Sequence, residues 1–245
     1  MTETVLRTSR SQEVQPTGLS RSAALCPAEF FPALDALAFV RTAFIQRCPD
    51  IDVVTDRETA LMRLWSAHRR TADALGFSGM PFVLAEQVHG SGVVRVDAPL
   101  PVPAPAADGL ITSCPQLCLA IYVADCAAVY LADEKTRSIG LIHAGRKGAQ
   151  LGVVQQAIAA MREQFNTDPR NLVMQISPCI RPPHYEVDFA ADVARQAREA
   201  GVGSIFDCNT CTACHPELYY SYRREKGSTG RLLALAAITN GDRRS

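Results

Sequence analysis

His89, Cys126 and His143 are the residues of this chain best suited to hold a metal ion. Each stands at a strand or strand edge, near a small residue or a break. His89 closes the apolar run 82–88 and precedes Gly90; Cys126 lies between two apolar runs; His143 ends a third and precedes Ala144-Gly145. The gaps of 37 and 17 residues match no local zinc-finger spacing. Placement is the stronger argument, because rigid elements hold ligands at fixed distances. One thiolate and two imidazoles suit Zn²⁺, with a fourth position left for water. Such an ion lowers the pKa of bound water and polarises a substrate oxygen. The competing reading is a buried core thiol with two strand-capping histidines.

Three further groups could do chemistry. Gly145-Arg146-Lys147-Gly148 lies between a strand and a helical pattern. Cations at a helix start oppose the helix dipole, and a shared anion would explain them; a solvated turn is the alternative. A second basic cluster, Ser221-Tyr222-Arg223-Arg224 followed by Ser228-Thr229-Gly230-Arg231, again puts arginines at an expected helix start, which suits phosphate or carboxylate. Arg231 paired with a core-edge carboxylate is the alternative there. Asp125 and Glu186 are candidate proton carriers. The run Cys208-Asn-Thr-Cys211-Thr-Ala-Cys214-His215 has zinc, iron–sulfur and c-type haem readings; plain buried or loop thiols compete with all three.

The elements that must position these groups alternate between strands and helices. Strands are expected over 36–44, 81–89, 93–96, 108–113, 117–123, 127–132, 138–142, 171–177 and 204–206. Helices are expected from the Thr55-Asp56 cap to Gly76, over 150–165, over 189–200 and over 229–239. In the first of these Leu61, Leu64, Trp65, His68, Ala72 and Leu75 form the apolar stripe, with His68 a packed helix histidine. In the second the stripe is Leu151, Val154, Ile158, Met161 and Phe165. Residues 1–33 read as a loose N-terminal arm and 34–245 as a single domain. The fold class is α/β (α+β), with mixed sheets flanked by helices.

Composition narrows the function. Lys+Arg and Asp+Glu balance at 25 each, so no general attraction to nucleic acid or membrane surfaces is expected. No apolar run reaches membrane-spanning length, and the polar N-terminus lacks a signal core, so a cytoplasmic protein is expected. Nine cysteines in a reducing compartment are then expected to be buried, metal-binding or catalytic rather than disulfide-bonded.

Several short motifs occur in one order: Gln87-Val88-His89-Gly90, Ala107-Asp108-Gly109-Leu110-Ile111-Thr112, Ala124-Asp125-Cys126, His143-Ala144-Gly145, Ile176-Ser177-Pro178-Cys179-Ile180, Tyr185-Glu186-Val187, and Cys211-Thr212 leading to Tyr220-Ser221-Tyr222-Arg223-Arg224 and Thr229-Gly230-Arg231. In these the chain resembles the laccase-domain family, also called the polyphenol oxidase family, some members of which are called purine nucleoside phosphorylases. The resemblance spans about 38–238. It implies a sandwich-like β core with outer helices, and zinc held by His89, Cys126 and His143. It implies phosphorolysis of adenosine, inosine and methylthioadenosine, with adenosine deamination as a side activity. Nucleoside and phosphate are then the partners, with Cys126, Asp125, Arg146 and Lys147 expected at the chemistry and Gln87, Arg223 and Arg231 at the substrate.

Two departures mark a divergent branch. Arg146-Lys147 replaces the family's Trp-Arg, removing an aromatic surface, and Asp52 to Arg57 replaces its Ser-Leu-Asn segment. Two other functions stay open: a metal-dependent hydrolase that edits a peptidoglycan precursor, and a non-enzymatic binding protein on the same fold. Five histidines are too few for a four-copper oxidase. Copper can occupy a Cys-His-His site in vitro, which makes phenol oxidation a side reaction rather than the main role.

Overall fold

The computed structural model describes residues 24–239. In chain order they form Ala28–Glu29 (β1), Pro32–Asp35 (α1), Val40–Ile45 (β2), Arg57–Ala72 (α2), Phe82–Leu84 (β3), Val93–Arg95 (β4), Gly109–Thr112 (β5), Cys118–Val123 (β6), Ala127–Asp133 (β7), Ser138–Ala144 (β8), Arg146–Gln150 (α3), Val153–Phe165 (α4), Leu172–Ile176 (β9), Phe189–Glu199 (α5), Ser204–Asp207 (β10) and Leu232–Ile238 (β11). The strands make two mixed sheets, ordered β1-β2-β11-β6-β3 and β10-β9-β7-β8-β5-β4.

Period-2 alternation stacks them. Along β7, Ala128, Tyr130 and Ala132 join a cluster shared with β2, β6 and β11, whereas Val129 and Leu131 pack with α4 and α5. β8 divides likewise, Ile139 and Leu141 facing the first sheet and Ile142 and Ala144 the helices. The Tyr130 hydroxyl spans the sheets, donating to the Ala43 carbonyl at 3.0 Å. Helix α2 packs on the same cluster as the first sheet through Ala60, Leu64 and Ala67. The result is the expected mixed α/β domain, sheet on sheet with helices outside.

Several expected elements differ. The helix expected over 229–239 is strand β11, which pairs antiparallel with β2 and β6. Its sequence, LLALAAI, is apolar at every position and buried throughout. Such a run has no period to read, and a central site between two strands overrides the helix preference of Leu and Ala. The helix expected over 150–165 is two, because Gly152 takes φ 72° between α3 and α4; Leu151 at the break is exposed. Arg146 and Lys147 therefore belong to the first turn of the short α3. The strand expected over 81–89 ends at Leu84, since Gln87 and His89 have positive φ. The strand expected over 36–44 begins only at Val40, behind a helical turn opened by Pro32.

Part of the arm expected over 1–33 is folded. Residues 1–23 lie outside the described residues, as do 240–245. From there, β1 pairs with Phe44 and Ile45, Phe31 is buried, and Cys26 is disulfide-bonded to Cys48. That bond corrects the expectation of reduced cysteines. The backbone register of β1 on β2 brings the two side chains together, a juxtaposition that composition does not reveal. No helix among the described residues is long and apolar enough to cross a membrane.

Helix α2 starts where Asp56 accepts the Thr59 N–H at 3.0 Å. Its buried stripe is Ala60, Leu64, Ala67, His68 and Thr71, with Trp65 exposed on the flank, edge-on to Phe82. His68 is fully buried beside Tyr122, and neither ring nitrogen has a hydrogen-bond partner among the described residues. Burial lowers its pKa from 6.5 to about 4. The unfolded chain therefore binds an extra proton between those values. The stability that neutral His68 contributes is complete above pH 6.5 and is lost as pH falls toward 4, at roughly 1.4 kcal/mol per pH step and about 3 kcal/mol in all. His68→Leu should flatten this acid limb in urea melts run from pH 7 to pH 4.5. An unchanged limb would assign the acid lability elsewhere.

Candidate active site

The chain crosses from the first sheet to the second between β3 and β4 and again between β6 and β7. His89 lies in the first crossing and Cys126 in the second. His143, on the β8 alternation of Ile139 and Leu141, faces the layer between the sheets. The geometry thus brings three residues from distant parts of the chain to one end of the sandwich. Their ligand atoms all lie within 4.8 Å of one another.

The backbone is strained here. Gln87, His89 and Asp125 have φ of 63°, 59° and 77°, a left-handed conformation that costs a non-glycine residue roughly 1–3 kcal/mol. Asp108 holds part of it in place. Its Oδ1 accepts the His89 N–H at 2.9 Å and its Oδ2 the Gly90 N–H at 2.6 Å. The same Oδ1 accepts from Nδ1 of His143 at 2.8 Å, and the Asp108 carbonyl accepts the His143 N–H at 2.6 Å. One buried carboxylate therefore fixes the backbone at His89 and the ring of His143, and leaves Nε2 of His143 as the free ligand atom.

The charges follow from these contacts. Burial pushes the Cys126 thiol up, but hydrogen bonds and charge from His143 and His89 outweigh it and bring it down to about 6. Burial pushes His143 down, but Asp108 and Cys126 outweigh it and raise it to about 9. Burial likewise raises Asp108, and its bonds to His143, Gly90 and His89 more than reverse that. A thiolate, two imidazoles and a carboxylate behind one of them are a donor set and outer-shell support that could hold a metal ion, and their chemistry suits zinc. Space is reserved as well. A Cβ on Gly145 would lie 2.6 Å from Sγ of Cys126, so only glycine lets the β8–α3 turn pass the ligands. We expect Asp108→Asn to lower zinc affinity about 10- to 100-fold, read by competition with a chromophoric chelator. Unchanged affinity would remove Asp108 from the site's support.

Above the ligands opens a cavity of about 1080 Å³. Its wall is cationic: Arg57, Arg146, Lys147, Arg223, Lys226 and Arg231 line it, with Asp125 the one lining carboxylate among the described residues. Glu186 forms ion pairs with both Arg146 (3.1 Å) and Arg223 (2.8 Å). Among the described residues, Arg57, Lys147, Lys226 and Arg231 have no carboxylate partner. Tyr122, Tyr185, Phe189 and Tyr222 supply aromatic surface. The rings of Tyr185 and Phe189 meet edge to face, and Arg223 lies over Tyr185.

The cavity is lined by Gln87, His89, Asp125, Cys126, His143, Arg146, Lys147, Arg223 and Arg231, in differing postures, whereas Glu186, the other candidate proton carrier, is tied up in its two ion pairs. The Gln87 amide is bonded to the backbone of Tyr122, donating to its carbonyl at 2.6 Å and accepting its N–H at 3.1 Å. Asp125 is buried and doubly occupied: it accepts the Thr212 hydroxyl at 2.7 Å and the Arg223 N–H at 2.6 Å. Arg231 is buried, and its Nη1 donates to the Thr229 and Gly230 carbonyls. It precedes a strand rather than a helix, so the helix-start argument for this cluster does not hold. Its alternative, a carboxylate partner, is not found among the described residues either.

Sequence reasoning passed over Asp108 as a functional residue, and Arg57, Lys226 and Phe189. Asp108 had a signal: an acidic residue directly before the run Gly109-Leu110-Ile111, which is apolar enough to be buried, needs a buried partner. Arg57 and Lys226 had none, because the fold alone brings them to the cavity. In the cysteine-rich loop, Cys208 and His215 stand apart, His215 pairing with Glu217. Cys211 and Cys214 instead group with His184. This corrects the reading of Cys211 to His215 as a local haem-type unit.

The chain matches the model of the family described as multi-copper polyphenol oxidoreductase laccase over residues 52–197 and 187–239. It is 34% identical over 192 residues to a Mycobacterium tuberculosis protein named purine nucleoside phosphorylase, covering 68% of this chain and 76% of that one. It is 33% identical over 195 residues to a Deinococcus radiodurans protein of the same name, covering 69% and 75%. The fold matches the crystal structure of YlmD from Geobacillus stearothermophilus with a TM-score of 0.76 at 22% identity, over 86% of this chain and 94% of that one. With the motifs gathered at one cavity and the family model matched over most of its length, the chain is a member of this laccase-like family.

Proposed function

We propose that this protein is a purine nucleoside phosphorylase, with His89, Cys126 and His143 holding zinc. The observation that carries the reading is the cationic wall facing the ligand set. Four cations without carboxylate partners, converging on a cavity with aromatic sides, suit an inorganic phosphate beside a planar base. The names of the relatives support the same class.

In this reading phosphate is gripped by Arg57, Lys147, Lys226 and Arg231, and an oxygen of it forms a bond to C1′ of the ribose. The C1′–N9 bond breaks, its electron pair leaves with the purine, and the purine takes up a proton. The products are free base and ribose 1-phosphate. Tyr185 and Tyr222 flank the base, taking over the surface that the family's missing Trp would supply. Asp125 is a positioning residue, since both its oxygens are engaged in holding the Thr212 and Arg223 backbone segments. Cys126, wedged between two imidazoles, is a ligand rather than a nucleophile. Zinc, when bound, supplies Lewis-acid polarisation at the cavity floor. Adenosine, inosine and methylthioadenosine are the substrates of this reading, and adenosine deamination is a side activity of the same cavity.

The test is purine release by zinc-loaded protein followed chromatographically over a range of phosphate. We expect a rate that saturates in phosphate and vanishes without it. Release at the same rate in phosphate-free buffer would replace phosphorolysis with hydrolysis. One observation favours the amide-hydrolase alternative: the cavity is at the upper end for a small-molecule site, leaving room for a larger substrate.

A further inference from the structure

Outside the cavity the fold assembles a second set of soft ligands. Cys211 is held by backbone: Cys179 N–H donates to the Thr210 carbonyl at 3.2 Å, and Thr212 N–H to the Cys179 carbonyl at 3.1 Å. The 3₁₀ turn Thr212–Cys214 then folds the chain back, with Cys214 N–H donating to the Cys211 carbonyl at 3.1 Å. A separate turn, in which His184 N–H donates to the Arg181 carbonyl at 2.9 Å, presents the imidazole to both sulfurs. Nδ1 of His184 lies 3.5 Å from Sγ of Cys214 and 3.8 Å from Sγ of Cys211. All three ligand atoms are within 4.8 Å of one another.

We propose that His184, Cys211 and Cys214 form a second zinc site, distinct from the cavity. Two cysteines separated by two residues, on a turn, are a common half of a zinc site. The third ligand comes from 27 residues upstream of Cys211, so the ion ties two segments together. The spacing already fits. Tetrahedral zinc with Zn–S near 2.3 Å and Zn–N near 2.0–2.1 Å separates sulfur from nitrogen by about 3.5 Å. Cys211 is buried, whereas His184 and Cys214 are exposed, so the ion enters from solvent and water fills the fourth position. Loading releases the two thiol protons to solvent.

The site has a structural consequence. Tyr185 and Glu186 follow His184 directly and flank the cavity, while Thr212, between the two cysteines, donates to Asp125. The ion therefore braces two cavity walls against each other. Neither its presence nor its test depends on which reaction the cavity carries out.

The experiment counts zinc on the full chain by native mass spectrometry after stripping, reduction and reloading with zinc alone. The wild type should take up two ions. Cys214→Ser and His184→Ala, at exposed positions, should each take up one, and Cys126→Ser should take up one at the other site. As a second readout, Co²⁺ loaded into Cys126→Ser should give the sulfur-to-cobalt charge-transfer band of a two-thiolate centre, lost on adding Cys214→Ser. A single zinc ion in the wild type, unaffected by Cys214→Ser, would overturn the proposal. So would recovery of a Cys211–Cys214 disulfide after reduction and zinc reloading.

Discussion

His143→Ala should release the cavity's zinc and slow purine formation by about a thousandfold or more. The residue is buried with its Nδ1 committed to Asp108, so the substitution removes one ligand and strips Asp108 of its side-chain partner. Two remaining ligands, one of them the exposed His89, do not hold zinc against a chelator. A bound metal contributes several kcal/mol of transition-state stabilisation, and each 1.36 kcal/mol is tenfold in rate. Metal content by mass spectrometry and initial rates should fall together. A zinc count equal to that of the wild type would remove His143 from the ligand set; loss of one zinc with unchanged turnover would make that metal structural.

The second large effect is expected at Arg231. It is buried, without a carboxylate partner among the described residues, and burial together with the nearby Arg57 lowers its pKa. The fold invests in placing it. A Cβ on Gly230 would lie 2.6 Å from the Tyr220 ring, so the chain reaches Arg231 only through a glycine. With Nη1 fixed on two carbonyls, Nη2 and Nε remain for a ligand. One charge-assisted bond to an anion is worth about 1.5–3 kcal/mol, roughly 10- to 150-fold. Arg231→Met should raise the KM for phosphate by about that factor while leaving the KM for nucleoside near the wild-type value. Arg231→Lys should restore part of the loss, since it keeps the charge without the planar fork. An unchanged KM for phosphate in Arg231→Met would take Arg231 out of the phosphate grip.

Much of this site was legible in the sequence because its chemistry sits on short motifs at strand ends. His89, Cys126 and His143 follow or end apolar runs, and each run became a strand or its exit. The partners that make the ligands work were less legible. Asp108 acts through backbone N–H groups some twenty residues upstream and a ring 35 residues downstream, and no local pattern encodes those contacts. Arg57 and Lys226 converge only after the sandwich closes. Strand β11 and the α3–α4 break were misread where apolar residues run without a period or where one glycine interrupts a good one. The Cys26–Cys48 bond and the His184 cluster join residues far apart in sequence, which spacing rules do not reach.

The central claim is phosphorolysis, and the most direct test is isotopic. Zinc-loaded protein is incubated with adenosine and phosphate in ¹⁸O-labelled water, and the products are weighed by mass spectrometry. The account predicts adenine and ribose 1-phosphate, both without label, because no water enters the reaction. Free ribose in place of ribose 1-phosphate as the main product would show that water rather than phosphate takes up C1′, and would contradict it.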